Sequence, residues 1–390
     1  MNNEAVLFAL IRSVICGETV REEIKAACTP KLLEDVYTLA SKHDLAHLVG
    51  QAVSKLDLPE SEALTKCKQT AMQAVYRYMQ LEYTYQQVCQ ALEEAQIPFI
   101  PLKGAVMRAY YPEPWMRTSC DVDILVKGTQ LNAAAKVLEE VLGYRFAEKT
   151  THDLSFFSPG GVHIELHFDL VEDGRANAAC QVLTWVWEDA KPRQGYGCWC
   201  EISDAFFYFY HIAHMARHFE TGGCGIRPFI DLWLLDNVVK GDQTSRDTLL
   251  RSGELLQFAT AARKLSRVWF SGEAEDSLSE RLQSFLLHGG VYGSIDNWVA
   301  LQQEGRGGKW AYLLSRIFAP YEKLKSYYPI LKKHRWLMPV MQVRRWLMLL
   351  RPNVAHRVKT EIVASNTTER CSADAVGSLL CDVGIHNSLW

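Results

Sequence analysis

Two aspartates separated by a single residue offer the clearest chemistry in the chain. Asp121 and Asp123 lie in the segment DVDILV (Asp121–Val126), whose alternation of acidic and apolar residues predicts a β-strand with both carboxylates on one face. At roughly 3.3 Å of rise per residue, the two acids are about 6 to 7 Å apart along the strand, close enough to share divalent cations. The pair therefore predicts a magnesium site.

A third acid lies in the later segment VHIELHFDL, residues 162–170. Its alternation places His163, Glu165 and His167 on one face of a strand and the apolar residues on the other. If this strand lies beside the Asp121–Val126 strand, three carboxylates converge. Carboxylates without counter-charge repel and raise one another's pKa, and two magnesium ions remove that repulsion.

The segment before the aspartate pair contains groups that could bind a triphosphate. An apolar run ends in Lys103-Gly104, where a helix is predicted to begin. Gly104 allows close approach of the backbone, the amides at a helix start bind anions, and Lys103 and Arg117 supply positive charge. Two alternatives remain open: Lys103 as an ordinary surface lysine, and Arg117 as an ion-pair partner of Asp121 or Asp123.

Four of these features together resemble a known family. In order along the chain they are LKG (residues 102–104), Arg117, DVDILV (Asp121–Val126) and IELH (residues 164–167). They are similar to the motifs of an uncharacterised bacterial branch of the nucleotidyltransferase superfamily, whose core resembles that of DNA polymerase beta. The resemblance extends over about residues 97–235. It implies transfer of a nucleoside monophosphate from a nucleoside triphosphate to an acceptor hydroxyl, with pyrophosphate leaving.

By that resemblance, Asp121, Asp123 and Glu165 are the catalytic carboxylates that bind two Mg²⁺ ions, for which Mn²⁺ could substitute. The implied nucleotide-binding residues include Lys103, Gly104, Arg117 and His167, with Gly104 as the phosphate-loop glycine. The broad superfamily pattern has Gly-Gly or Gly-Ser where this chain has Lys103-Gly104, and the third acid here is a glutamate. Both features match the branch.

A helical segment further along belongs to the same resemblance. His211, His214 and His218 are three and four residues apart, so they lie near one face of a helix. The next helix is predicted to begin at Arg227 and contains Asp231. The resemblance implies that Arg227 contacts phosphate and that Asp231 or a histidine orients it or acts as the base for the acceptor hydroxyl. The alternative is a pair of helices joined by an Arg227–Asp231 contact.

Two rival functions use the same residues. His163, Glu165 and His167, joined by His214 and His218, could form a zinc or iron site with nitrogen and oxygen ligands. The other rival is a catalytically inactive module on the same fold that binds a nucleotide or a partner.

Composition limits the function classes. With 390 residues, 48% of them hydrophobic, the chain is long enough for two or three domains. Lysine and arginine total 42 against 45 acidic residues, so no overall field attracts nucleic acid or an anionic membrane. The chain has no run of about 18 apolar residues and no secretion-signal pattern, so neither a membrane span nor export is predicted. Its 11 cysteines lack regular spacing, which favours reduced thiols and a cytoplasmic location.

Apolar periodicity predicts an α+β fold, in which helices pack on a mixed β-sheet flanked by helical N- and C-terminal regions. A long helix is predicted over residues 61–95, and its aromatic and methionine residues, including Met72, Tyr76 and Met79, are expected in the core. A helix is predicted over residues 130–142, ended by Gly143. Strands follow near residues 144–146, 154–157 and 162–170, the last two joined by a turn at residues 158–161.

These patterns predict four parts: a helical N-terminal domain (1–93), a catalytic domain (94–200), a helical C-terminal domain (201–355) and a tail or peripheral elements (356–390). Residues 327–352 are basic and aromatic; tryptophans packed on the domain are favoured over a membrane or nucleic-acid surface. No internal repeat is evident. The sequence thus predicts a cytoplasmic, bacterial-type, magnesium-dependent nucleotidyltransferase. Its acceptor is a small molecule or a protein, nucleic acid being disfavoured, and its base preference is open.

Overall fold

The computed structural model of the protein describes residues 2–171, 177–291, 293, 299, 314, 317–321, 324–325, 328–349 and 370–385. The chain divides into two compact units. The first contains Met1–Met215 and Ile226–Ser279, and the second contains Ala216–Gly225 and Glu280–Trp390. The four-part domain division expected from the sequence stays a prediction.

Helices form the N-terminal segment, as its apolar spacing predicts. They are α1 (Asn3–Ile15), α2 (Glu22–Ala27), α3 (Pro30–Lys42), α4 (Ala46–Ser54) and α5 (Glu62–Glu94). α3 begins at Pro30 because proline suits the first helical position and the Thr29 hydroxyl accepts a hydrogen bond from the Leu32 amide. α1, α3 and α4 pack against one another, and α3 and α4 also pack against α5.

The 33-residue helix α5 has one buried and one exposed face. The buried face includes Leu81, Tyr85, Val88 and Leu92. Met72, Tyr76 and Met79, which were expected in the core, are instead 73%, 64% and 62% exposed. That prediction is wrong because two apolar stripes run along this helix and only one of them faces the protein core.

A mixed five-stranded sheet forms the centre of the first unit. Its strands, numbered in chain order, are β1 (Phe99–Pro101), β2 (Asp121–Val126), β3 (Arg145–Lys149), β4 (Asp153–Phe157) and β5 (His163–His167). Their spatial order is β1-β2-β5-β4-β3, with β2 and β5 parallel and the other neighbours antiparallel. The apolar residues of β2 and β5 pack with α5 in one buried cluster. The predicted α+β fold class is confirmed.

The segments that connect these strands follow the predicted pattern closely. β1 leads into the short helix α6 (Lys103–Met107). The helix predicted over residues 130–142 consists of α7 (Leu131–Lys136) and a continuing π-helical turn (Val137–Val141), after which Gly143 adopts φ 68°. β4 and β5 form a hairpin, and at its turn the Gly161 amide donates to the Ser158 carbonyl oxygen over 2.9 Å.

Further helices follow the sheet. They are α8 (Ala178–Leu183), α9 (Val186–Asp189), α10 (Asp204–Phe219), α11 (Arg227–Asn237), α12 (Gln243–Ser252), α13 (Leu256–Ser271) and α14 (Ser277–Leu287). A small hairpin of β6 (Lys191–Pro192) and β7 (Cys200–Glu201) lies before α10. α10 and α11 are the two helices predicted around the histidines and after Arg227.

The later part of the chain contains α15 (Met338–Leu349) and α16 (Arg370–Asp382). Trp346 donates from Nε1 to the Ile317 carbonyl oxygen over 2.7 Å, as expected for a packed tryptophan, whereas Trp336 is 73% exposed. The packing predicted for residues 327–352 therefore holds for one of these two tryptophans. Residues 350–369 and 386–390, which include most of the predicted tail, lie outside the described residues. Within the described part of the chain, none of the helices combines the length and apolarity needed to cross a bilayer.

Candidate active site

The parallel pairing of β2 with β5 builds the site. The register places Asp121 beside His163 and Asp123 beside Glu165. Because side chains alternate along a strand, these four groups lie on one face of the sheet, while Val122 and the other apolar residues face α5. The convergence of three carboxylates expected from the sequence is therefore present.

Lys103 extends into this carboxylate cluster. The Leu102 amide donates to the Asp123 carbonyl oxygen over 3.1 Å, which prolongs the β1–β2 pairing up to the lysine. Lys103 then adopts φ 42°, a conformation uncommon for a non-glycine residue. Its Nζ donates to Asp123 Oδ1 over 2.9 Å and lies 4.0 Å from Glu165 Oε2. The alternative of an ordinary surface lysine is wrong, since the side chain is only 22% exposed and points into the site.

His167 contacts the carboxylates from the far end of β5. Its Nε2 lies 2.9 Å from Asp123 Oδ1 and 3.3 Å from Glu165 Oε2. His163 lies four residues earlier, at the other end of β5, and its Nδ1 is 3.9 Å from Glu165 Oε1. The two histidines therefore border the cluster on either side of Glu165.

The charge of the three acids is neutralised unevenly. Burial alone would raise the pKa of Asp123, but the Lys103 ammonium and His167 hold it well below its usual range. Burial and the neighbouring Asp123 charge raise the pKa of Asp121 to about 6. Burial would lower the pKa of Lys103, yet Asp123 raises it well above its usual value. Burial would lower the pKa of His167, but the hydrogen bonds that its imidazole donates to Asp123 and Glu165 raise it.

These side chains fit a divalent metal. Two groups, Asp121 with His163 and Glu165, and Asp123 with Glu165 and His167, each bring possible ligand atoms within 4.8 Å of one another. Carboxylate oxygens are the ligands that Mg²⁺ and Mn²⁺ prefer, whereas imidazole nitrogens suit Zn²⁺ or iron. Lys103 donates its hydrogen bond to Asp123, and the pKa of Asp121 stays raised, chiefly because it is buried and secondly because of the Asp123 charge. A cation bound here would add positive charge beside Asp121.

Gly104 allows a neighbouring loop to approach the site. A Cβ atom built on Gly104 would lie 3.0 Å from Arg117 Nη1 and 3.3 Å from Ser119 Oγ. Arg108, which is buried, donates from Nη2 to the same Ser119 hydroxyl, while its Nε has no hydrogen-bond partner among the described residues. Burial and the nearby Arg117 lower the pKa of Arg108 to about 10. The loop before β2 thus concentrates positive charge beside the carboxylates.

Arg117 forms a buried network with α11. Its Nη2 donates to Asp231 Oδ2 over 2.9 Å, and the Tyr111 hydroxyl donates to Asp231 Oδ1 over 2.7 Å. The alternative partners expected for Arg117, Asp121 and Asp123, are therefore replaced by Asp231. Burial alone would raise the pKa of Asp231, but Arg117 holds it below its usual value.

Arg227 contacts a different part of the chain. Its Nη1 donates to Asp44 Oδ2 over 2.8 Å and to the Thr118 carbonyl oxygen over 3.0 Å. The alternative of an Arg227–Asp231 contact is therefore wrong, because each residue pairs with another partner. Arg117 and Arg227 together hold the loop around Thr118 between the first helices and α11.

The three histidines of α10 contact different parts of the chain. His211 Nε2 lies 2.9 Å from the Pro228 carbonyl oxygen, and burial lowers the pKa of this imidazole. His214 lies 6.3 Å from the Tyr210 ring. The carbonyl oxygen of His218, in the second unit, accepts the Gly223 amide over 2.9 Å. Their predicted roles stay predictions.

Some residues of the site carried no signal in the sequence. Tyr111 and Arg108 belong to the loop before β2, where their burial could not be inferred from periodicity. Asp44 is 183 positions from its partner Arg227. Only the pairing of elements distant in sequence brings such partners together.

A strand with two acids, paired with a strand that carries the third and preceded by a lysine-glycine turn, is the core expected of a nucleotidyltransferase. The chain matches an uncharacterised nucleotidyltransferase family over residues 30–271 and belongs to that family. The match includes every residue predicted for the site. No curated protein and no solved structure matches the chain. Family membership supports nucleotidyl transfer as the class of reaction.

Proposed function

We propose that the protein transfers a nucleoside monophosphate from a nucleoside triphosphate to an acceptor hydroxyl. The observation that carries the proposal is that Asp121, Asp123 and Glu165 lie on one face of the paired strands β2 and β5, where they belong to two groups of possible metal ligands, the atoms of each group lying within 4.8 Å of one another. In this reaction the acceptor oxygen forms a bond to the α-phosphorus, the bond to the β-phosphate oxygen breaks, and pyrophosphate leaves. Two Mg²⁺ ions, or Mn²⁺, held by these carboxylates would stabilise the attacking and leaving oxygens.

The chain's own residues divide into contacting and positioning groups in this proposal. Lys103 and His167 contact the nucleotide, since both already lie among the carboxylates. Arg117, Arg227 and Asp231 hold the loop that Gly104 accommodates and so position it beside the triphosphate, with Asp231 acting through its ion pair with Arg117. His214, in the same unit as the carboxylates, stays a candidate base for the acceptor hydroxyl.

The acceptor is proposed only as a class, a small molecule or a protein. A cavity of about 300 Å³ lies beside α6 and is lined by residues that include Tyr85, Val106 and Trp199. Its lining contains none of the three carboxylates, and Tyr85 and Trp199 belong to the apolar cluster on the opposite face of the sheet. The cavity is therefore not assigned to the acceptor.

The decisive experiment is a thermal shift with each of the four nucleoside triphosphates, with and without Mg²⁺. A ligand that binds only the native state adds about 2.7 kcal/mol of apparent stability at a hundredfold excess over its dissociation constant. We expect a metal-dependent shift that disappears in Asp121→Asn/Asp123→Asn. Asp57→Asn, at an exposed acid far along the chain, is the matched control.

One observation favours the inactive module as a second candidate. The Lys103 ammonium already pairs with Asp123 over 2.9 Å, as it would in a site that works without metal. Magnesium-dependent release of pyrophosphate distinguishes the two, because the module would bind nucleotide and release none. Stabilisation by zinc alone would instead support the histidine metal site.

A further inference from the structure

The exposed face of α5 carries a stripe of large apolar side chains. Met72, Tyr76, Met79 and Tyr83 are 73%, 64%, 62% and 67% exposed. Their spacing of four, three and four residues matches the seam of a coiled coil, in which apolar residues recur every 3.5 residues. Exposed apolar residues are normal singly, but a contiguous row marks an interaction surface. We call these four residues the α5 stripe.

The α5 stripe arises from an internal repeat of seven residues. Residues 72–78 are MQAVYRY and residues 79–85 are MQLEYTY. The methionine and the first tyrosine of each copy form the stripe. The last tyrosine of each copy, Tyr78 or Tyr85, is turned away and is at least partly buried. The expectation that the chain has no internal repeat is wrong at this length.

Two glutamines hold the tyrosines of the stripe in place. Gln80 donates from Nε2 to the Tyr76 hydroxyl over 3.2 Å, and Gln87 donates to the Tyr83 hydroxyl over 3.1 Å. Both hydrogen bonds are exposed to solvent, and each favours one orientation of its tyrosine before any partner binds. Ordering in advance reduces the entropy lost on association.

We propose that the α5 stripe joins two copies of this chain, with their α5 helices antiparallel. In reverse order the stripe reads Tyr, Met, Tyr, Met. An antiparallel copy thus places Met72 against Tyr83 of the partner subunit and Met79 against Tyr76 of the partner subunit. Every contact across the two-fold axis is then between a methionine sulfur and an aromatic ring, which is a favourable pairing. A parallel copy would pair like with like.

The size and the charge of the surface suit a second copy. A large side chain buries about 150–250 Å² when fully covered, so four that are about two-thirds exposed offer roughly 500 Å² per chain. Two chains then bury about 1,000 Å², the lower limit for a specific interface. Gln73, Gln80 and Gln87 flank the stripe and introduce no charge repulsion between copies. A membrane surface would instead favour basic flanks.

Sedimentation velocity over a range of concentrations tests the proposal on the full chain. We expect the wild-type protein to be dimeric and Met79→Glu to be monomeric, since a carboxylate would face an aromatic ring of the partner. Glutamate is a good helix former, so α5 should persist. Val238→Glu replaces another exposed apolar residue, outside the stripe, and should leave the dimer intact.

Mixing two variants tests the antiparallel arrangement. Tyr76→Lys and Met79→Glu should each be monomeric alone. In an antiparallel mixed dimer the new lysine faces the new glutamate, and the other central contact keeps its native Met–Tyr pair. We therefore expect the mixture to restore dimers.

Three outcomes would overturn the proposal: a wild-type monomer at all concentrations, a dimer that Met79→Glu leaves unchanged, or failure of the mixture to restore association. A stripe that binds another protein or a membrane would give the first of these results.

Discussion

At the scale of single residues, Asp121 and Asp123 differ in their environments, because Lys103 donates a hydrogen bond to only one of them. Alternation along a strand predicted that both aspartates share a face, and the register of β2 and β5 bears this out. The sequence could not predict that Lys103 donates its hydrogen bond to Asp123, because this depends on the backbone turn at φ 42°. The two acids, identical in the motif, therefore have opposite pKa shifts.

Asp121→Asn should stabilise the metal-free protein at pH 7.5 while it abolishes nucleotidyl transfer. The pKa of Asp121 is raised to about 6, so above that pH the fold carries a carboxylate whose charge it disfavours. Removing the charge should add on the order of 1–3 kcal/mol to the free energy of unfolding. Thermal unfolding in a chelator measures the change.

The gain should shrink at pH 5, where the folded protein already holds Asp121 protonated. The control Asp57→Asn should leave the midpoint of thermal unfolding unchanged at both pH 7.5 and pH 5. A lower midpoint for Asp121→Asn at pH 7.5 would contradict this account of the site.

Gly104→Ala should destabilise the protein by about 1–3 kcal/mol, as overpacking does in other proteins. The added Cβ would lie 3.0 Å from Arg117 Nη1 and would displace a guanidinium that is tied to Asp231. Gly128→Ala is the matched control, since its Cβ would meet nothing within 4 Å. Urea unfolding of the two variants checks the difference, and equal midpoints would show that the Arg117 loop tolerates the methyl group.

At the scale of elements, a buried ion pair joins helix α11 to the loop before β2. Arg117 and Asp231 are 114 positions apart, so no local pattern could reveal their pairing. The sequence predicted both helices and strands in this region, but the ion pairs it offered as alternatives, Arg117 with Asp121 or Asp123 and Arg227 with Asp231, are not the ones that form. The physical reason is that a motif fixes which residues are charged, and tertiary packing decides which of them meet.

Asp231→Asn should destabilise the protein by about 3 kcal/mol or more, because it leaves the buried Arg117 without a carboxylate. The amide group of asparagine would also direct a donor toward the guanidinium or the Tyr111 hydroxyl. Tyr111→Phe should cost only about 1 kcal/mol, since Arg117 still satisfies Asp231. Chemical denaturation gives the free energy of unfolding of each variant. A decrease for Tyr111→Phe as large as that for Asp231→Asn would contradict the assigned network.

The sequence predicted helix α5 correctly but not which of its faces is buried. Its periodicity correctly indicated a long helix, but both Met72 and Leu81 belong to apolar stripes at helical spacing. Hydrophobicity alone does not say which stripe faces the sheet. The register of the helix on the sheet decides it, and that register comes from packing against β2 and the loop around Trp199.

The stability of the whole molecule depends on pH through buried histidines in two separate helices. Burial lowers the pKa of His47, in α4, and of His211, in α10, from the ordinary value of 6.5. The charged groups around them are Asp44 and Arg227 for His47, and Asp231, Arg117 and Asp236 for His211. Below about pH 6.5 the unfolded chain binds more protons at these two sites, so their contribution to stability falls as the pH falls.

His211→Gln should therefore reduce the loss of thermal stability between pH 7.5 and pH 5.5. Asp121 and His167, whose pKa values are raised, act in the opposite direction, so the comparison is made between variant and wild type. Differential scanning calorimetry at the two pH values gives the measurement. A variant that loses as much stability as the wild type would show that His211 is not held neutral in the fold.

The alternation of charged and apolar residues in β2 and β5 also governs how the chain folds. A shift of one residue in β5 would turn Glu165 toward α5, and the same shift in β2 would turn Asp121 and Asp123 there and expose Val122 to water. Placing unpaired carboxylates in that apolar layer costs several kcal/mol each, so a misaligned sheet cannot compete with the native one. The acids thus select the correct strand alignment in every newly made chain, before any substrate is present.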